Sequence, residues 1–357
     1  MNVVDLHIIK SFPVSCLVRG EDGEPKTCLY GGCTRARISS QSIKRSSRIQ
    51  LKSVDPVHFS GERLKSLSER LQKELESLGV PEAIKISQAV ANFFGKTEEK
   101  SGDKTKNLLY LSPGDIKAIA EKISNKKEEL ITFNKDKTID VKKGLLRDVL
   151  VTDRADITFF GRFIAQDPTA SIESASSFSH PLSVHKIRNE TDFFAAISDE
   201  KEEGETGAAY INENYYNSAT YYSAIGINTS LLEENSHLGN IPIPLRREIL
   251  SKFIESCIMA NPGAKQSTMF SRGLPYFVFA NVRENSQSYT LADAFEKPIR
   301  SSDGYNEEAV RVLMGEWEIK KRMFKRQLGD IKLEASFSKN GNFTLDTFCE
   351  EIIKNVW

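Results

Sequence analysis

Leu64, Leu67, Leu71, Leu75 and Leu78 recur at three- and four-residue steps, and Gly79 follows them directly. Only a helix gathers that spacing into one apolar stripe, and a glycine just past the stripe supplies the stop. The periodicity predicts a helix over 62–78. Pro81 opens a second helix carrying Ile84, Ala91 and Phe94. Ser112-Pro113 caps a third, with Ile116, Ile119 and Ile123 on its apolar side. The polar residues 96–107 read as a mobile connector. Residues 61–145 are therefore expected to form a helical insertion.

On either side of this block the period falls to two. Val4, Leu6 and Ile8 alternate with Asp5 and His7, which predicts a first strand. Ile157, Phe159 and Phe163 alternate with Thr158, Phe160 and Arg162, which predicts another over 156–163. An acidic run at 199–205 precedes Tyr215, Tyr216, Tyr221 and Tyr222, expected on a pair of strands, and 276–282 reads as a strand. Helix signals return at 244–260, 290–296, 306–327 and 344–355. Strands flanking a helical insert, with no internal repeat, place the chain in the α+β class.

Charge narrows the function. The 357 residues include 49 Lys and Arg against 49 Asp and Glu, so the formal net charge is zero. That excludes a protein that coats nucleic acid with its whole surface and makes local charge decisive. No apolar run approaches the roughly 18 residues of a membrane span. The opening residues Met1–His7 lack a basic segment followed by an apolar one, so no signal peptide is expected. Five cysteines, an odd number in a chain too long to need disulfide staples, fit a reducing cytosol and a cytoplasmic location.

Residues 26–52 hold Lys26, Arg35, Arg37, Lys44, Arg45, Arg48 and Lys52 and no acidic residue. If 40–52 is helical, Ser40, Lys44, Arg48 and Lys52 share a face. Ser39, Ser40, Gln41 and Ser42 cluster at the helix start, where free backbone N–H groups and the dipole favour phosphate. Many phosphate contacts and few base readers are what sequence-independent backbone recognition requires. A solvated basic helix face is the alternative. A second candidate is the Pro-Gly turn within 261–268, where Lys265 and Gln266 are in reach of a phosphate or 2′-hydroxyl; a plain turn is its alternative. The turn lacks a Gly-Lys-Ser/Thr, so no nucleoside triphosphatase is expected.

The stretch Gly31-Gly32-Cys33-Thr34-Arg35-Ala36-Arg37-Ile38-Ser39-Ser40-Gln41-Ser42-Ile43-Lys44-Arg45 resembles the signature of the large backbone subunit of type I-E CRISPR Cascade, the CasC family of the RAMP superfamily. Three further stretches match in order: 155–163, Pro262-Gly263-Ala264-Lys265-Gln266, and Asp293-Ala294-Phe295-Glu296-Lys297-Pro298. The resemblance implies an RNA-recognition-motif-like (ferredoxin-like) palm at 1–60, 166–187 and 221–357, a helical fingers insertion at 61–165 and a β-hairpin thumb at 188–220. It implies partners: a CRISPR guide RNA, target DNA paired to it, further copies in a filament and other Cascade subunits, in antiviral defence. By the resemblance, Arg19, Lys26, Arg35, Arg37, Ser39, Ser40, Gln41, Ser42, Lys44, Arg45, Arg48, Lys265 and Gln266 bind the guide. Phe163 takes the place of the wedge that kinks one base from the stack, with Phe193, Phe194 and Ile211 on the thumb. Cys33 and Thr34 stand where relatives often carry basic residues, and residues 174–180 depart from the family's alanine- and histidine-rich strand.

Three other chemistries compete for these residues. Asp22, in the first loop, is a candidate for metal-assisted RNA cleavage of the kind used by backbone subunits of other CRISPR classes. A repeat-processing ribonuclease needs an acid–base pair. Of His7, His58, His180, His185 and His237, only His180 and His185 lie close, and their five-residue spacing fits neither a strand face nor a helix face. Cys16, Cys28 and Cys33 contain no Cys-x-x-Cys pair for zinc. No catalytic residue, metal or cofactor is expected.

Overall fold

The computed structural model describes residues 1–98, 104–136, 138–147, 149, 151–196 and 210–357. Strand β1 (Val3–Ser15) is buried from Val3 through Lys10 without a break. Its polar side, expected to alternate with the apolar one, is covered too, so each polar group there needs a partner. Asp5 pairs with Arg283, His7 Nδ1 meets the Tyr222 hydroxyl at 2.9 Å, and Lys10 Nζ donates to the carbonyls of Ile258 and Ala260 at 3.0 Å each. Strands β2 (Thr27–Tyr30) and β3 (Cys33–Ala36) form a hairpin that leads into helix α1 (Ser40–Val54).

The helical insertion begins later than the leucine spacing suggested. Glu62–Leu64 is a short strand paired with Leu109–Leu111, and helix α2 runs Leu67–Ser77. Leu64 still enters the same apolar cluster as Leu67, Leu71 and Leu75. Helix α3 (Ala83–Gly95) buries Ile86, Val90 and Phe94, while Ile84 is exposed. Helix α4 (Pro113–Leu130) has the expected cap: Ser112 Oγ accepts from Asp115 N at 2.9 Å and Asp115 Oδ2 accepts from Ser112 N at 3.1 Å.

Residues 156–163 are not a strand. Helix α5 spans Ala155–Phe160, and Gly161 ends it at φ 76°. Ala155 through Phe159 are all buried, so burial imposes no period and the apparent alternation carried no information.

Strand β4 (Glu190–Ala196) pairs antiparallel with the 19-residue β5 (Tyr210–Asn228). The four tyrosines thus lie on one long strand rather than two. After helix α6 (Ile243–Met259) come β6 (Phe277–Glu284), helix α7 (Asn306–Met323), β7 (Asp330–Ser338) and helix α8 (Leu345–Lys354). The sheet order is β4-β5-β1-β6-β7, with Leu6 opposite Ala280 and Ala280 opposite Ala335. Strand β7 was not foreseen; it lies at the sheet edge and is largely exposed, so its apolar signal is weak. Trp317 of α7 packs on Phe279, with ring centroids 5.5 Å apart, over Ile9, Phe277 and Leu313.

The chain divides into two compact units: a sheet unit of residues 1–47, 177–227 and 253–357, and a helical unit of 48–176 and 228–252. The fold is α+β with an antiparallel sheet. Among the described residues no helix is long and apolar enough to cross a membrane.

Candidate nucleic-acid interface

The basic stretch starts from a tight turn. Gly31 and Gly32 take φ of 58° and 71°, as a two-residue hairpin loop requires. A Cβ on Gly31 would stand 1.6 Å from the Glu296 carbonyl oxygen, so a side chain there is excluded twice over.

Arg35 leaves the interface. It is 0% exposed. Its guanidinium donates to the carbonyls of Ser183 at 2.8 Å, Phe295 at 2.7 Å and Glu296 at 3.2 Å, and Nε meets Cys33 Sγ at 3.2 Å. Those donors are spent on three carbonyls that tie the hairpin to distant segments, which corrects its assignment as a phosphate contact.

The remaining cations stay at the surface. Arg19 is exposed, and Lys26 and Arg37 are half-buried. Arg37 Nη1 meets His180 Nδ1 at 3.0 Å. Burial first, then the charges of Arg37 and Lys26, pushes the His180 pKa down, which puts these two cations in one neighbourhood. Burial raises the Cys16 thiol pKa, while Lys265 and Arg19 pull it down and so form a second neighbourhood. Asp22 is exposed, with its Oδ1 accepting from Glu24 N at 3.1 Å within the first loop.

Helix α1 carries Lys44, Arg45, Arg48 and Lys52 and no acid. Its inner side is fixed by hydroxyls: Ser46 Oγ donates to Asn261 O at 2.6 Å and Ser47 Oγ meets Ser256 Oγ at 2.6 Å. Gln41 and Arg45 are exposed. The face shared by Lys44, Arg48 and Lys52 is not bare. Lys44 Nζ lies over the Phe178 ring at 5.3 Å, Arg48 over Tyr110 at 5.4 Å, and Lys52 Nζ pairs with Glu62 at 2.6 Å. A ring face holds a cation in place and leaves it its charge; Asp156 also lies within electrostatic reach of Arg48. Glu62 is shared with Arg70, whose Nη1 lies 2.7 Å from it, and Lys52 is the last cation of the helix. Ser39, Ser40 and Ser42 are half-buried at the helix start, and Ser42 N donates to Ser39 O at 2.9 Å.

In the second candidate loop, Lys265 takes φ 49° and its Nζ donates to Asn214 of β5. Gln266 turns inward: Nε2 donates to Pro262 O at 3.2 Å and Ser271 Oγ at 3.1 Å, and Oε1 accepts from Ser271 N at 3.2 Å. Both ends of its half-buried amide shape the loop. The sequence reading missed Phe270, 81% exposed a few residues further on. An unpatterned aromatic beside the Lys265 turn was the only available signal.

Phe163 is 85% exposed, although Arg162 beside it is buried. Phe193 is 73% and Phe194 37% exposed, opposite Glu213 and Asn212 on the β4–β5 hairpin. Ile211 pairs with Ala195 through its backbone; its side chain, like the acidic run at 199–205, lies outside the described residues. Phe163 belongs to the helical unit, Phe193 and Phe194 to the sheet unit.

The family model described as CT1975-like protein matches residues 4–351. No curated protein matches the sequence significantly. A solved chain described as "CRISPR RNA-guided surveillance complex, pre-nicking" is similar at a TM-score of 0.81 and 24% identity, covering 99% of this chain and 100% of that one. A second, described as "CRISPR RNA-guided surveillance complex", is similar at 0.64 and 19%, with the same coverage of 99% and 100%. At these identities the likeness establishes a shared fold.

Proposed function

The chain belongs to the CT1975-like protein family, and from that premise we propose that it is the guide-RNA-binding backbone subunit of a CRISPR surveillance complex of the type I-E Cascade kind. In this reading the sheet unit is an RNA-recognition-motif-like palm, the helical unit supplies the fingers, and the β4–β5 hairpin is the thumb. Copies line up along one guide and present it in segments to target DNA, beside other Cascade subunits.

The observation that carries the reading is α1, a 15-residue helix with four cations, no acid and a hydroxyl-rich start. Such a helix suits the phosphate backbone, whose recognition is electrostatic and indifferent to sequence. Arg19, Lys26, Arg37, Lys44, Arg45, Arg48 and Lys265 supply the charge, with Ser39, Ser40, Gln41 and Ser42 as neutral donors. Phe163 and Phe194 offer exposed rings on which a displaced base can stack.

The test is purification of the protein expressed together with a CRISPR array. A discrete guide-length RNA should travel with it, and bulk RNA of random length, or none, would refute the reading. The chain is proposed to bind without cutting: magnesium-dependent cleavage lost in Asp22→Ala would overturn that part alone.

A further inference from the structure

The positive surface of α1 continues onto a strand outside the acid-free run. The short strand Glu62–Leu64 pairs with Leu109–Leu111, and its register sets Arg63 directly opposite Tyr110. Side chains paired in this way stand on one face of the hairpin, within reach of each other. The Arg63 guanidinium carbon accordingly lies over the Tyr110 ring, 5.6 Å from its centroid. Arg48 of α1 lies over the same ring, at 5.4 Å. Tyr110 is buried, Arg63 is exposed and Arg48 is half-buried. One ring therefore carries two guanidiniums, one from the basic helix and one from the start of the helical insertion.

Asp156 of α5 fixes this platform. It is fully buried; its Oδ2 accepts from the Tyr110 hydroxyl at 2.8 Å and its Oδ1 from Ile157 N at 2.9 Å. The Gly61 N–H donates to the same carboxylate. A Cβ on Gly61 would stand 2.7 Å from both carboxylate oxygens, so a side chain there would push the strand away. Asp156 thus holds the ring and the backbone two residues before Arg63 at once. Arg48, Arg63, Tyr110 and Asp156 all belong to the helical unit. The charge on the ring is not balanced. Burial first, then the charge of Arg48, pushes the Arg63 pKa down, so the two guanidiniums feel and repel each other. Among the described residues no carboxylate acts on Arg63. Glu62, its neighbour in sequence, is shared by Lys52 and Arg70. Two like charges held together lower their free energy when an anion lies within reach of both. Guanidinium forks match phosphate oxygens, and stacking on a ring leaves each arginine less freedom to lose on binding.

We propose that Arg63 is a further phosphate-binding residue, which together with Arg48 takes a phosphodiester of a nucleic-acid strand lying along α1. The inference rests on the guide-binding reading of α1 and extends it to a residue that the acid-free run does not contain. The phosphodiester comes either from the guide or from target DNA paired to it.

Fluorescence anisotropy of the full chain with a labelled guide-length RNA, from about 50 to 500 mM salt, reads the contribution of Arg63. Arg63→Gln should flatten the slope of log K against log salt by about 0.7, so over this tenfold range the wild type loses about fivefold more affinity than the variant. Arg63→Lys keeps the charge and should keep most of the slope. Lys85→Gln, which removes an exposed cation paired with Glu82 on α3, should leave the slope unchanged. All three side chains lost are exposed, so each variant should stay folded at the assay temperature. Flattening with RNA alone assigns the phosphate to the guide, and flattening only after complementary DNA has paired assigns it to the target strand. Equal slopes for wild type and Arg63→Gln with both ligands would overturn the proposal. So would flattening by Arg63→Lys or by Lys85→Gln as large as that by Arg63→Gln. Those outcomes leave the guide-binding reading standing, whereas a wild type that binds no RNA would refute that reading and this site with it.

Discussion

Replacing Lys44, Arg45 and Arg48 together with alanine tests the charge of α1 directly. Lys44 and Arg48 are half-buried over Phe178 and Tyr110, and Arg45 is exposed, so all three contribute to the positive surface of the helix. On single strands each neutralised phosphate contributes about −0.7 to the slope of log K against log salt, so three contribute about −2. Between about 50 and 200 mM salt, a fourfold change, the wild type should then lose about 18-fold more affinity than the variant. Fluorescence anisotropy with a labelled guide-length RNA across that range reads both slopes. The two lost ring contacts are worth about 0.5–1 kcal/mol each at exposed sites, so the variant's unfolding must be measured alongside and binding compared well below its midpoint. Equal slopes for two folded proteins would remove α1 from the interface, whatever the change in absolute affinity.

Arg35→Ala should lower stability to urea by about 3 kcal/mol or more, because two buried carbonyls and a third partly buried one lose a charged donor, and Arg35→Lys should restore only part of it; a loss under about 1 kcal/mol would contradict the buried anchor. Phe163→Ala and Phe194→Ala together should cost little stability, their rings being exposed or partly so, yet abolish periodic chemical reactivity along the bound guide. A fully periodic pattern in the folded double variant would show that neither ring is the wedge. Burial holds the His7 pKa near 3 in the folded protein, against 6.5 ordinarily. The unfolded chain therefore takes up a proton first as pH falls. His7's contribution is intact above about 6.5 and declines from there toward 3, by at most about 1.4 kcal/mol per pH unit. Denaturation curves for His7→Gln should lose that part of the pH dependence, and wild-type and variant slopes that coincide between pH 6.5 and 5 would refute it.

Local periodicity was enough for part of this molecule. The α2 stripe and the Ser112-Pro113 cap follow from residue spacing, because a helix sorts its own neighbours before any tertiary contact forms. The acid-free run, the glycine turn and the hydroxyls opening α1 were legible for the same reason. Periodicity failed where burial is complete. Residues 155–159 are covered on all sides, so their alternation meant nothing and the segment became a helix. Counting charge failed in the same way. Arg35 and Arg37 are two residues apart and equivalent as sequence, yet only the first is buried. What separates them is carbonyls 148 and 260 residues further along the chain, which the antiparallel sheet and its loops bring to one guanidinium and not to the other. A charge's sign is a property of the residue. Whether that charge faces a phosphate or a carbonyl depends on which distant backbone comes to lie beside it, and that follows only from the folded chain.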